Sequence, residues 1–261
     1  MPIDAAHAED VRAAQSRVQL LGVELDNLDF ASTLARAEAA IAAQSGAQHL
    51  TVDMTKAVRA CRESAFRRLL NEADLVSADG ISIVWASRLI GSGPIVERVT
   101  GVDLFESLLG WAAERNWSVY FLGADEATSL SLVSEAKRLW PSLRIAGHSN
   151  GYWTSEAEPQ LVADIRATWP DILFVGISSA TAEEFMSRWK RQLGAGYTLS
   201  VGGSFDVLAG KVSRAPLWMQ TTGFEWLWRI IKEPGRLWKR YLTAALQFTV
   251  IVAREFVSRR S

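Results

Sequence analysis

The chain has 261 residues, 49% hydrophobic and 22% charged, which is enough apolar material for a large core and excludes wholesale disorder. Its single cysteine, Cys61, excludes a disulfide framework within the chain and reads as a small buried hydrophobe. The net charge of −1 hides an asymmetry: residues 211–261 hold ten Lys and Arg against three Glu (+7), and residues 1–210 hold 18 against 26 (−8). A basic tail on an acidic body points to an anionic partner.

Met1 to Arg17 lacks the apolar centre of a signal peptide and is expected to be a loose polar lead. From there the chain alternates short apolar runs with amphipathic stretches, the pattern of a parallel sheet covered by helices. His49–Asp53 is predicted as a strand and Thr55–Asn71 as a helix with a break near Ser64. Leu75–Ala78 is a strand, Ile81–Leu89 a helix, Gly101–Arg115 a helix and Trp117–Leu122 a strand. The next helix runs to Trp140, where Pro141 stops it. Leu143–Ala146 is a strand, and Ser155 is expected to cap a helix that ends at Thr168. Ile172–Ile177 is a strand, Thr181–Leu193 a helix and Thr198–Val201 a strand. The character changes near Gly210, which divides the chain into a lead (1–17), an α/β core (18–210) and a C-terminal appendage (211–261).

Ligands of such sheets bind at the carboxyl ends of the strands. That rule selects Thr51 and Asp53, Asp79-Gly80, Gly123-Ala124-Asp125, Gly176, and Gly202-Gly203-Ser204-Phe205-Asp206. Glycine at a strand-to-helix turn allows close backbone approach and suits a phosphate, so a nucleotide is a candidate ligand.

The appendage is aromatic as well as basic, with Trp218, Trp226, Trp228 and Trp238. Its apolar stretch Leu242–Ala253 is twelve residues long, whereas a membrane span needs roughly 20. A helix lying on an anionic bilayer fits that pattern. A terminal helix docked on the core or in a homo-oligomer interface also fits, and so, less well, does a nucleic-acid binder. The expected partner is an anionic membrane surface, and no nucleic acid is expected.

No phosphate loop of the Gly-x-x-x-x-Gly-Lys-Ser/Thr type and no Gly-x-Gly-x-x-Gly fingerprint is present, against common triphosphatases and dehydrogenases. His7, His49 and His148 lack metal-ligand spacing, and there is no Asp-x-Asp pair. Neither a metal site nor a cofactor is expected.

Seven phrases in order carry a resemblance: Ala78-Asp79-Gly80; Arg98 to Leu104; Phe121-Leu122-Gly123; Val201 to Asp206; Arg214-Ala215-Pro216; Glu225-Trp226-Leu227; and Glu233 to Tyr241. Together they resemble the WecG/TagA/CpsF glycosyltransferases. The resemblance implies a Rossmann-like α/β fold of the GT-E type with a membrane-binding appendage. It implies an inverting, metal-independent enzyme that moves a hexosyl unit from a UDP-sugar to a polyprenyl-diphosphate-linked sugar. It would work peripherally at the cytoplasmic face of the inner membrane, in cell-surface polysaccharide or exopolysaccharide synthesis. Asp79 matches the family's proposed base, since a carboxylate can take the proton of an attacking hydroxyl; its structural alternative is a cap for the helix near Ile81. Arg98 matches the arginine that would hold the leaving diphosphate, with a simple pair to Asp103 as the alternative. Thr51, Asp53, Gly80, Gly101, Asp103, Gly123, Gly176, Glu183, Gly202, Gly203, Phe205 and Asp206 are expected around the substrates. Arg229, Arg236, Trp238, Lys239 and Arg240 are expected to reach the acceptor diphosphate or lipid headgroups.

Two departures stand out. The family's Thr-x-Asn is Thr51-Val52-Asp53 here, so an acceptor-only carboxylate replaces an amide. The family's Gly-x-Pro-Lys-Gln-Glu is Ser178-Ser179-Ala180-Thr181-Ala182-Glu183, which keeps only the glutamate. Thr181 and Glu184 are spaced as a capping box. The altered loop keeps a second function open, that of a catalytically silent, membrane-docked partner in a polysaccharide assembly complex.

Overall fold

The computed structural model describes residues 17–259 apart from Ser92, Ser178 and Glu233; the expected lead lies almost wholly outside the described residues. Three described elements precede the first predicted strand. Strands β1 (Arg17–Leu20) and β2 (Val23–Asp26) form an antiparallel hairpin. Leu21 and Gly22 both take positive φ at its turn, as a two-residue hairpin loop requires. Helix α1 (Phe30–Ala42) follows, its first turn capped by Asp29, which accepts from Ser32 N.

The main sheet has six parallel strands: β3 (Ala47–Val52), β4 (Leu75–Ala78), β5 (Ser118–Gly123), β6 (Arg144–Ser149), β7 (Ile172–Gly176) and β8 (Tyr197–Ser200). Their spatial order is β4-β3-β8-β7-β5-β6. Between them run α2 (Met54–Arg62), α3 (Ser64–Asn71), α4 (Ile81–Ile90), α5 (Gly101–Arg115), α6 (Glu126–Leu139), α7 (Glu158–Thr168) and α8 (Ser179–Trp189). Successive strand residues point to opposite faces. Leu173 and Val175 enter one apolar cluster with α2, α3, α4, α7 and α8. Ile172 and Phe174 enter a second with α1, α5 and α6. Helices therefore cover both faces, the α/β arrangement the alternating pattern predicts.

Two caps differ from expectation. Helix α7 starts at Glu158 behind Ala157, with Pro159 in its first turn, so Ser155 is not its cap. Helix α8 starts at Ser179, which places Thr181 inside its first turn, and Glu184 pairs with Arg59 at 2.8 Å. Thr181 and Glu184 do not form a capping box.

After β8 come α9 (Ser204–Leu208), α10 (Leu217–Thr222), α11 (Glu225–Lys232) and the long α12 (Pro234–Ser258). Helix α12 buries Ala244, Phe248 and Val252, one turn apart in sequence, against the core. The core-docked reading of the terminal helix is thus met on one face. Its other side chains Trp238, Leu242, Leu246, Val250 and Val257 stay exposed, as do Leu217 and Trp218 on α10. No helix among the described residues is long and apolar enough to cross a membrane.

Candidate active site

The chain runs from β3 outward to β4, then returns to the other half of the sheet and re-enters the centre at β8. Between β3 and β8 the connections diverge, the position where open α/β sheets hold ligands. A cleft of about 1380 Å³ opens there. Thr51, Asp53, Asp79, Gly80, Arg98, Gly176, Gly202, Gly203 and Asp206 of the expected residues line it. The appendage supplies another wall through Lys211, Phe224, Glu225, Trp226, Lys232 and Tyr241.

Asp79 follows β4, with its N–H donating to Val52 O at 3.0 Å. It is half-buried. The N-cap of α4 is Gly80, and no side chain caps that helix, so the capping alternative for Asp79 does not apply. Its Oδ2 instead lies 3.5 Å from Gly101 N at the start of α5. Asp53 does cap a helix: its Oδ1 accepts from Lys56 N at 2.8 Å. The carboxylate in place of the family's amide thus keeps a helix-starting role that needs only an acceptor.

Arg98 does not pair with Asp103. Its Nη2 donates to Gln220 O at 2.7 Å, and Nη1 lies 3.8 Å from Glu225. Asp103 accepts from Thr100 Oγ1 at 2.6 Å, while Thr100, the N-cap of α5, accepts from Asp103 N. Asp103 also pairs with Arg214, which reaches Glu106 at 2.9 Å and lies 3.6 Å from Glu225. Core and appendage therefore exchange charges: Arg98 goes out to the appendage and Arg214 comes back to α5. Burial first, then the neighbouring Asp103 and Glu225, push the Glu106 carboxyl above the ordinary range, with Arg214 opposing them.

At the far rim Lys211 Nζ donates to Asp125 Oδ2 at 2.8 Å and lies 3.9 Å from Asp206. The Lys211 hydrogen bond and those from Thr128 hold the Asp125 carboxyl well below its ordinary value. Part of the tail's positive charge is thus matched to the body's own acids.

Several expected residues pack behind the cleft or, as with Gly176, between its wall and the core. Gly123 takes φ +147°, and a Cβ there would fall 2.4 Å from the backbone of Gly176. A Cβ on Gly176 would fall 2.5 Å from the ring of Phe205. Phe205 is buried among Phe105 and Phe121. These residues serve strand-to-strand and strand-to-helix packing. Glu183 is fully buried, and Gly101 and Asp103 start α5 beside the cleft. Trp238 and Lys239 are exposed on the first turns of α12; the side chains of Arg229, Arg236 and Arg240 lie outside the described residues.

Residues 18–261 match the Glycosyl transferase WecG/TagA/CpsF family. The chain belongs to that family. It is 33% identical over 216 residues to the N-acetylglucosaminyldiphosphoundecaprenol N-acetyl-beta-D-mannosaminyltransferase of Bacillus spizizenii, with 82% of each chain covered. It is 31% identical over 217 residues to the protein of the same name from Bacillus subtilis, covering 83% of this chain and 82% of the relative. The chain is a glycosyltransferase of lipid-linked polysaccharide biosynthesis.

In this glycosyltransferase the altered α8 loop still borders the cleft through Thr181. Some lining residues, Lys56 among them, belong to none of the motifs. Lys56, on the first turn of α2, places Nζ 2.7 Å from Glu183 Oε1 and 2.7 Å from Thr51 O. Its only sequence signal is a lysine three residues after a helix-capping aspartate. Arg214 is visible in the sequence only as part of a phrase, because ion pairing across 111 residues leaves no local pattern.

Proposed function

We propose that this enzyme is an inverting, metal-independent transferase that moves a hexosyl unit from a UDP-sugar to a polyprenyl-diphosphate-linked sugar. The carrying observation is that Asp79 and Arg98 line one cleft at the switch point of the sheet. The relatives' names, which specify N-acetylmannosaminyl transfer to N-acetylglucosaminyldiphosphoundecaprenol, support the substrate classes. The acceptor hydroxyl attacks the anomeric carbon while Asp79 takes its proton. The bond from that carbon to the diphosphate oxygen breaks, and its electron pair leaves with UDP. Arg98 uses one N–H on Gln220 O, which leaves guanidinium donors for the charge that gathers on the leaving diphosphate.

The exposed side chains of α10 and α12, Trp218, Trp238, Leu242, Leu246 and Val250 among them, support peripheral docking on the anionic cytoplasmic face of a membrane. Such a surface would keep the cleft close to a lipid-borne acceptor.

Asp79→Asn tests the mechanism. Transfer to a lipid-linked acceptor should be abolished while calorimetry shows unaltered UDP binding. Near-normal turnover would remove Asp79 as the base. UDP release by the unaltered protein that depends on Asp79 also distinguishes the enzyme from a silent binding partner.

A further inference from the structure

Lys56 lines the cleft, yet its side chain is only 11% exposed and its partner Glu183 is 0% exposed. An ammonium has three N–H donors. Two go to Glu183 Oε1 and Thr51 O; the third has no partner among the described residues. Burial disfavours the charged form of Lys56, but Glu183, Asp53 and Asp79 outweigh it and hold the group above its ordinary value. The lysine is therefore a cation at neutral pH.

The surroundings decide what such a cation would recognise. One ammonium stands among three carboxylates, so this wall is already negative in sum. A diphosphate would be repelled there and is better met by Arg98. An uncharged oxygen is not repelled. A sugar hydroxyl accepts one hydrogen bond and donates another. A wall with one free ammonium N–H beside the acceptor-only Asp53 and Asp79 offers both halves.

We propose that Lys56 reads the sugar: its third N–H donates to an uncharged oxygen of the hexosyl unit, a hydroxyl or an amide carbonyl, while Asp53 accepts from a neighbouring hydroxyl. The inference rests on the nucleotide-sugar reading of the cleft. It also assigns a direction to the cleft, with the hexosyl unit toward β3 and β4 and the diphosphate toward Arg98. A hexose bearing its own carboxylate is disfavoured at this wall.

The test compares UDP with UDP-N-acetylmannosamine by calorimetry. Lys56→Met alone leaves a buried Glu183 without its partner, so the informative variant is Lys56→Met/Glu183→Gln, with Glu183→Gln as its reference and thermal unfolding as the folding check. The paired variant should lose about tenfold in affinity for the UDP-sugar relative to its reference, the effect of one charge-assisted hydrogen bond, and keep its affinity for UDP. Equal weakening of both ligands would move Lys56 to the diphosphate and overturn the proposal; no change in either would make the ion pair purely structural and also overturn it. A second measurement needs no variant. The unaltered protein should bind the UDP-sugar of N-acetylmannosamine at least about tenfold more tightly than that of its uronic acid, because a wall with three carboxylates and one ammonium repels a further carboxylate at close range. Equal or tighter binding of the uronate overturns the proposal. If the unaltered protein binds no UDP at all, the nucleotide-sugar reading itself fails and takes this proposal with it.

Discussion

Replacing Arg214 by methionine removes the cation on which three carboxylates converge. The Arg214 side chain is 19% exposed, with Asp103 at 36%, Glu106 at 38% and Glu225 at 12%. Pairs with partners as open as Asp103 and Glu106 contribute about 0.5–1 kcal/mol each. The more buried Glu225 would keep only its 3.8 Å contact with Arg98 while still facing the other acids, which adds roughly 1–2 kcal/mol. The expected loss near neutral pH is thus about 2–4 kcal/mol, or about 5–15 °C in Tm for a chain of this size. The loss should depend on pH. Glu106 has its carboxyl raised in the fold, by burial first and by Asp103 and Glu225 next. A raised carboxyl favours folding below its unfolded pKa, and that contribution fades as pH rises through the folded value. Without Arg214 the folded value climbs further, so the deficit relative to the unaltered protein should be small near pH 4 and full near pH 7. Urea unfolding of both proteins at these pH values and one ionic strength measures it. A deficit below about 1 kcal/mol near neutral pH, or one equal at both pH values, would refute this account of the clamp.

Gly123→Ala should destabilise the protein by about 3 kcal/mol or more, because its Cβ would collide with Gly176 at 2.4 Å on a backbone with φ +147°; unfolding free energies within about 1 kcal/mol of each other would contradict this. His49, fully buried between Tyr197 and Ser77, has its pKa lowered by burial to about 3. The unfolded chain takes up this proton first, so stability should fall by about 1.4 kcal/mol per pH unit below about pH 6.5. His49→Gln should flatten that acid limb, and an unchanged slope would remove His49 as its source.

Much of the fold is legible in the sequence because parallel strands buried on both faces are short apolar runs with turn residues at their ends. Five of the six sheet strands fall within two residues of their predicted bounds at both ends, and β6 runs three residues past its predicted end. Helix α1 carries a readable signal, with Asp29 as cap and Leu34, Ala37 and Ile41 at helical spacing. Its alanine-rich stripe is weakly apolar, however, and neither it nor the short hairpin is among the predicted elements. At the candidate site, the strand-end rule brings Thr51, Asp53, Asp79 and Gly202 together without a motif. The partners of Arg98 are not legible, since Gln220 and Glu225 lie more than 120 residues away and belong to the appendage.

The order of apolar runs, glycine turns and acidic strand ends in the sequence alone determined an α/β sheet, the edge of that sheet where ligands belong, and a basic aromatic appendage. Those features depend on local periodicity and on which residues tolerate a turn. Only the tertiary structure decided what each charge faces. It turned Arg98 toward the appendage, gave Lys211 and Arg214 to carboxylates of the body, packed Gly123 and Gly176 between strands, and set Lys56 among three acids at the cleft. The reason is that an ion pair or a close backbone approach is fixed by distance in space, and residues far apart in the chain become neighbours only when the sheet has closed.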